Sequence, residues 1–481
     1  MAEDVVLLTT FTNGSKKIRV VFHNNILVWD YERPPFEQKT LNLENMLSVK
    51  PNYLKCSHPS QDPQIDPFSF TIHYGVRETL GKWKYKALHL KHSDPLQVVS
   101  WIKTLEKQIS GLVHRPKSLL IFINPFGGKR NSMDIYTKFG KPLFEIAGVD
   151  VTVNVSQRKD QIRDFLINGS LDMFDSVACV GGDGTVSELF NGLVLRECRL
   201  KNIDADNINT PLPSPQIPVG IIPGGSTDTI TYCLHGTTDP TTAVFHIIFG
   251  DSVGLDLVSV YNENNLLKLF ASVLSYGYLG DVAYNSDRHR WMGPQRYNYS
   301  GLKKLLANKG YRGEVALLTN TESNDISRTK CFENCDTCGK DGNEEVVKSQ
   351  WRTVSGKFFM VSGANISCAC SQSPNGIAPY SHLGDGNMHL VLVKHGSIID
   401  NLRLLLNLSN KKKHIEELPF VETYCVREFC FRSRGSSSRW NCDGEVQHQT
   451  NIRARVSRQL LTIYSRGRPK VEQEETGCCG I

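Results

Sequence analysis

Polar and apolar positions alternate along residues 5–113. Ile18-Arg19-Val20-Val21-Phe22 and Ile26-Leu27-Val28-Trp29 read as short β-branched strands. His23-Asn24-Asn25 separates them, which is a hairpin signal. Trp83, Tyr85, Ala87 and His89 continue the alternation. At Asp94 the rhythm changes. That residue can cap a helix with Pro95 at its first position. Val98, Trp101, Ile102, Leu105, Ile109 and Leu112 then fall on one helical stripe. The pattern predicts a β-rich unit, residues 1–113, closed by one helix.

A short basic linker, His114-Arg115-Pro116-Lys117, leads into a continuous apolar run at 118–124, suited to a buried parallel strand. Strands at 151–155, 177–180 and 218–222 then alternate with helices near 159–168 and 185–196. This predicts an α/β domain over 115–253. Asparagine and proline mark 201–216 as a surface loop. From 254 to 466 the pattern turns to strands: 255–260, 270–274, 315–318, 358–361, 390–393, 426–431 and 459–464. A polar, cysteine-bearing segment at 331–350, a helix near 397–409 and a Ser/Gly loop at 434–439 interrupt them. The expectation is a β-rich second domain, followed by a flexible polar tail at 467–481.

Composition narrows the function classes. A net charge of +6 over 481 residues is mild. It fits an anionic membrane surface or a polyphosphate and gives no sign of a nucleic-acid binder. No apolar run reaches the roughly 18 residues that would mark a membrane span. The acidic start, Met1-Ala2-Glu3-Asp4, does not look like a secretory signal. The 14 unevenly spaced cysteines therefore point to a reducing, cytoplasmic compartment and to thiols or a metal site rather than disulfides.

Chemistry concentrates in three glycine turns, each following an apolar strand: 124–129 (Asn-Pro-Phe-Gly-Gly-Lys), 181–185 (Gly-Gly-Asp-Gly-Thr) and 223–228 (Pro-Gly-Gly-Ser-Thr-Asp). In a parallel sheet such turns emerge at one edge, where ligands bind. Gly181, Gly182 and Gly184 let backbone amides approach a ligand, and the helix start behind them favours an anion. Asp183 would repel phosphate there unless a metal or a proton transfer needs it. The turns match neither the Walker A loop nor the dinucleotide fingerprint, and the protein-kinase motif set is absent.

These turns, with Glu188, Asn191-Gly192 and the later Asp443-Gly444-Glu445, resemble the catalytic domain of the diacylglycerol-kinase-type lipid kinases. Residues 276–281, 286–293, 356–359, 365–370, 382–386 and 440–446 look like the ceramide-phosphorylating branch of that family. The likeness runs from about 115 to 465. The strands and single helix of 1–113 resemble a pleckstrin-homology domain, or are a plain β-barrel cap with no lipid site. The implied fold is multidomain: a pleckstrin-homology-like unit, a Rossmann-like α/β nucleotide domain and a C-terminal β-sandwich domain.

The resemblance implies an ATP- and Mg2+-dependent transfer to the primary hydroxyl of ceramide or a related sphingolipid. Asp183 would be the general base. Asn124, Pro125, Phe126, Gly127, Gly128, Ser156, Glu188, Gly225, Arg290, Asp443, Gly444 and Glu445 would contact nucleotide. Gly181, Gly182, Gly184 and Asp281 would face the lipid. Arg290 suits a phosphate by its forked donors, or forms a surface ion pair. Asp281 holds the lipid's polar groups, or caps a turn. Where relatives often carry Thr-Glu-His, this chain has Ser156-Gln157-Arg158, which alters the charge near the adenosine.

Two features stand apart. Cys331, Cys335 and Cys338 could supply three ligands to a structural Zn2+, with Cys368 or Cys370 as the fourth; the alternative is free or redox-sensitive thiols. Cys478-Cys479-Gly480-Ile481 has the form of a prenylation or palmitoylation site. Together these readings predict a kinase that is cytoplasmic and peripheral on membranes, at the Golgi or plasma membrane by family resemblance, with phosphoinositides as possible surface ligands. Sphingosine or diacylglycerol as acceptor, or a catalytically silent lipid-binding adaptor, are the alternatives.

Overall fold

The computed structural model describes residues 5–31, 38–54, 64–78, 81–128, 130–292, 295–320, 328–339, 349–435 and 437–470. The first unit is a seven-stranded antiparallel sheet. Its spatial order is Lys39–Asn42, Ile26–Tyr31, Lys16–His23, Leu7–Asn13, Trp83–Lys91, Ile65–Arg77 and Met46–Tyr53. Asn24 and Asn25 both take positive φ (49° and 60°), so the predicted hairpin turns through two left-handed residues. Asp94 caps the helix Pro95–Ser110 by accepting from the Leu96 amide at 2.9 Å. Val98, Trp101 and Leu105 bury the inner face of that helix. Trp101 meets Phe11 edge to face at 5.3 Å, and its indole N–H donates to Thr9.

The second unit carries a parallel sheet, Asp150–Val155, Ser118–Ile123, Ser176–Gly181 and Val219–Pro223 in spatial order. The apolar runs of the last three are buried on both faces, as such strands require, while the edge strand exposes Val153 and Val155. The helix predicted near 159–168 is Gln161–Asn168, and the one at 185–196 extends over Asp183–Leu200. Residues 201–216 contain no helix or strand.

The C-terminal strands do not form a sheet of their own. Strand Ile452–Tyr464 lies parallel beside Val219–Pro223 and antiparallel to both Ser252–Tyr261 and Glu428–Ser433. One large sheet thus runs from the α/β half into the β-rich half. The single strand expected at 270–274 is two, Leu266–Phe270 and Val273–Gly277. The break lies where a distant carboxylate takes the intervening amides. Two helices, Tyr278–Asp287 and Gln295–Ala307, lie where no helix was expected. The helix near 397–409 is Ile398–Ser409, with a capping box between Ser397 and Asp400.

The first unit is clamped to the second. Trp83 packs on Phe249 at 5.0 Å between ring centroids. The Arg466 guanidinium covers both rings, at 5.0 and 4.8 Å. Residues 467–469, expected to open a flexible tail, pack against the protein instead. The Arg468 carbonyl accepts from the Glu333 amide at 2.8 Å, and Pro469 is buried. Cys478 and Cys479 lie outside the described residues.

Candidate active site

Three strand ends bring the three glycine turns into contact. A β-carbon on Gly128, whose φ is +54°, would lie 2.7 Å from the Gly225 Cα, and one on Gly225 would lie 2.5 Å from the Gly182 Cα. Only hydrogen fits between these backbones. The Gly224 amide donates to the Gly181 carbonyl at 2.9 Å, joining two of the turns. Asn124 joins the third: its amide group donates to Thr185 Oγ1 at 3.0 Å and its carbonyl accepts from the Phe126 amide. Lys129 lies outside the described residues.

Asp183 opens the helix Asp183–Leu200 at this junction. Its two oxygens accept from the Thr229 and Ile230 amides at 3.2 and 3.1 Å. Desolvation pushes its pKa up to about 6; the two amides pull it down, and the neighbouring Asp228 and Asp443 push it up. A half-buried, desolvated carboxylate with a near-neutral pKa and unspent lone pairs is equipped to accept a proton. Asp228, in a left-handed conformation (φ 50°), accepts from the Gly225 amide at 2.9 Å and shapes the third turn. Its motif was legible in the sequence; its role was not.

Beside Asp183 a cavity of about 290 Å³ is lined by Asp160, Gly184, Glu188, Asn191, Lys268 and Glu445, among others. Glu188 accepts weakly from the Ile162 amide at 3.3 Å, and burial raises its pKa, with Asp160 and Glu445 adding to the rise. Glu445 enters from the β-rich half between two cations, Lys268 at 2.7 Å and Lys159 at 3.1 Å. Burial raises its pKa, but the lysines outweigh that and hold it below the ordinary carboxylate range. Neither lysine was singled out in the sequence. Their ion pairs join segments far apart in the chain, so no local spacing signals them.

The other expected residues divide. Asp443 is buried, and its carboxylate accepts from the Ala271, Ser272 and Val273 amides at 2.8, 3.0 and 3.0 Å and from the Ser272 hydroxyl at 2.5 Å. This clasp breaks the strand expected at 270–274. Ser156 is buried, with its hydroxyl 3.3 Å from the Ile123 carbonyl. Asp281 accepts from the Ser438 hydroxyl at 2.6 Å and from the Tyr311 phenol, and Lys304 stands 3.9 Å away. These contacts lie in the β-rich half and involve none of the glycine turns. The side chain of Arg290 lies outside the described residues.

Cys331, Cys335, Cys338 and His382 place four ligand atoms within 4.8 Å of one another. Cys335 Sγ approaches His382 Nδ1 at 3.2 Å, and Cys331 Sγ lies 3.7 Å from Cys338 Sγ. The fourth member of the group is therefore the imidazole, not Cys368 or Cys370. Cys368 is committed elsewhere, its thiol donating to the Ser272 and Ile366 carbonyls at 3.4 and 3.3 Å. The bond shared with Cys331, with His382 assisting, holds the Cys338 thiol below its ordinary range. A set of three thiols and one imidazole is a donor group that Zn2+ accepts. Gln459 ties this group to the central sheet through the Cys338 and Gly384 carbonyls, at 2.8 and 2.9 Å.

The chain is similar to known proteins along most of its length. Residues 118–260 match the model of the diacylglycerol kinase catalytic domain and residues 272–439 that of the ceramide kinase C-terminal domain. The chain is 34% identical to the ceramide kinase of Mus musculus over 455 residues, 85% of each chain. It is likewise 34% identical to that of Homo sapiens, over 83% of each. A solved structure from Bacillus anthracis str. Sterne, described as a candidate diacylglycerol kinase, superposes with a TM-score of 0.52 at 16% identity. It covers 73% of this chain and 96% of its own, and shows the fold alone.

Proposed function

Since the chain belongs to the ceramide kinase family, we propose that it transfers the γ-phosphoryl of ATP to the primary hydroxyl of ceramide, giving ceramide 1-phosphate and ADP. The observation that carries this reading is Asp183: one carboxylate at the meeting point of three glycine turns, with its pKa pushed up to about 6.

In this reading the turns present backbone amides to the phosphates, and Asp183 takes the hydroxyl proton as the new P–O bond forms. Lys268 and Glu445 close the cavity from the β-rich half, and Lys159 meets Glu445 from the α/β half, so nucleotide binding draws on both. Mg2+ bound with ATP would supply charge neutralisation, and Asp160 and Glu188 in the cavity wall would offer it oxygen ligands, while Glu445 is held by its two lysines. The two amides on Asp183 hold its carboxylate in one orientation, so acceptor and base meet without searching. Asp443 acts through the segment it clasps and is a positioning residue. Asp281, between two hydroxyl donors and Lys304, suits the polar groups of the sphingoid chain.

Three further assignments belong with this reading. The group of Cys331, Cys335, Cys338 and His382 holds a structural Zn2+. Metal analysis should find one Zn2+ per chain, lost in His382→Ala and kept in Cys368→Ser; no metal in the wild type refutes it. The seven strands and closing helix of the first unit support a pleckstrin-homology-like domain that meets phosphoinositides on cytoplasmic membranes. The boundaries near 113 and 253 mark functional units, even though the sheet is continuous across the second.

The deciding assay offers labelled ATP with ceramide, sphingosine and diacylglycerol, beside Asp183→Asn. Transfer to ceramide by the wild type alone is expected. Equal activity in the variant overturns the base, and transfer to no lipid overturns the kinase reading.

A further inference from the structure

The two helices that flank the Asp281 region carry their apolar residues on the wrong side for a protein core. On Gln295–Ala307, Tyr299, Leu302 and Leu306 are exposed, while Ser300 and Leu305 point inward. On Ile398–Ser409, Ile399, Leu402 and Leu406 are exposed, while Asn401 and Leu404 are buried. Both outward sets follow the same spacing, i, i+3 and i+7, which places each in a stripe along its helix. Their exposure is large: 58% for Leu302, 62% for Leu306, 64% for Ile399 and 61% for Leu406. Trp291, just ahead of the first helix, is 82% exposed. The helices adjoin. Asn401 donates to the Asn308 side chain at 2.7 Å, and Asn308 donates to the Gly396 carbonyl.

The charges around these stripes are mostly basic, with Asp400 and the exposed Glu417, in the turn packed on the second helix, as acids. Gln295–Ala307 contains no acidic residue and carries Arg296, Lys303 and Lys304. On Ile398–Ser409 the single acid, Asp400, is held by its capping box and stands 3.8 Å from Arg403. Lys309 and Lys411-Lys412-Lys413 add exposed cations beside both helices. Apolar stripes with a cationic border fit an anionic bilayer, where leucines enter the acyl boundary and lysines meet headgroups.

We propose that this two-helix face docks on a lipid bilayer containing anionic lipids, separately from the first unit. The inference rests on the kinase reading in one respect. The inner side of the first helix points Lys304 at Asp281, so docking here would bring the lipid-binding region to the membrane that supplies the acceptor. A second copy of the chain is the competing occupant.

The test floats the full chain with phosphatidylcholine vesicles, with and without 20% phosphatidylserine, and compares the double variant Leu302→Asp/Leu406→Asp. Vesicle partition should fall at least tenfold, while phosphorylation of dispersed short-chain ceramide stays unchanged. Lys303→Glu/Arg403→Glu should lower partition only on the anionic vesicles. Leu302→Gln/Leu406→Gln, a milder exchange, should fall between. Partition equal to wild type in all three variants overturns the face. So does a wild-type dimer, seen by sedimentation, that the aspartate variant dissociates without losing vesicles. A wild type that floats and loses flotation in the variants, yet phosphorylates no lipid, overturns the kinase reading and upholds the face.

Discussion

Asp183 and Asp443 stand near enough for the Asp443 charge to act on Asp183, and the fold treats them in opposite ways. Asp183 receives two amides, has its pKa pushed up by burial, and keeps acceptor capacity. Asp443 receives three amides and a hydroxyl, which occupy its oxygens. The same functional group serves reaction in one place and architecture in the other. What separates them is the number of donors, because each hydrogen bond to a carboxylate occupies a lone pair that could otherwise take a proton.

Exchanging each residue tests that contrast. Asp183→Asn should lower kcat by about 10²–10⁴-fold, the range for removing a general base, with a melting temperature close to wild type. Asp443→Ala should instead leave buried amides unpaired and cost about 2–4 kcal/mol of stability by denaturant titration. A stable Asp443→Ala or an unfolded Asp183→Asn would reverse the assignment. Gly225→Ala should part the turns, since its methyl would sit 2.5 Å from the Gly182 Cα. We expect about a hundredfold loss in kcat/KM, of the size a 1 Å misplacement gives, with the fold retained by circular dichroism.

The raised pKa of Asp183 sets a pH dependence. A base must be unprotonated, so kcat/KM should fall about tenfold per pH unit below an acid limb near 6, and be flat above it. Stability moves the other way. The native carboxyl holds its proton more tightly than the unfolded one, so this group's contribution declines as pH rises from about 4 to about 6. An acid limb near 4 would mean the group is not desolvated. The smallest effect belongs to Glu445→Gln. Lys159 is 71% exposed, so its ion pair is screened and contributes little; the buried Lys268 loses its partner. A rise of a few-fold in KM for ATP with kcat unchanged is expected.

Legibility in the sequence followed distance along the chain. The Asn24-Asn25 hairpin, the Asp94-Pro95 helix start and the glycine turns are local patterns whose backbone demands are written in adjacent residues. His382, Lys159 and Lys268 gain their roles from partners far away, and no local spacing announces them. The helix Gln295–Ala307 was missed for a different reason. Periodicity is read by assuming apolar residues face inward, and Tyr299, Leu302 and Leu306 do not. The strand expected at 270–274 fails because Asp443 claims amides that a ladder would have used.

Strand Ile452–Tyr464 carries a consequence for how the chain comes to be folded. Val219–Pro223 and Ser252–Tyr261 are both translated early, and each leaves an edge that only this late strand covers. While residues 262–451 are being synthesised, those edges present unpaired amides and carbonyls to any neighbour. The order of synthesis thus builds in a delay: the two halves cannot knit until their last shared strand arrives, and an exposed edge must be shielded in the interval.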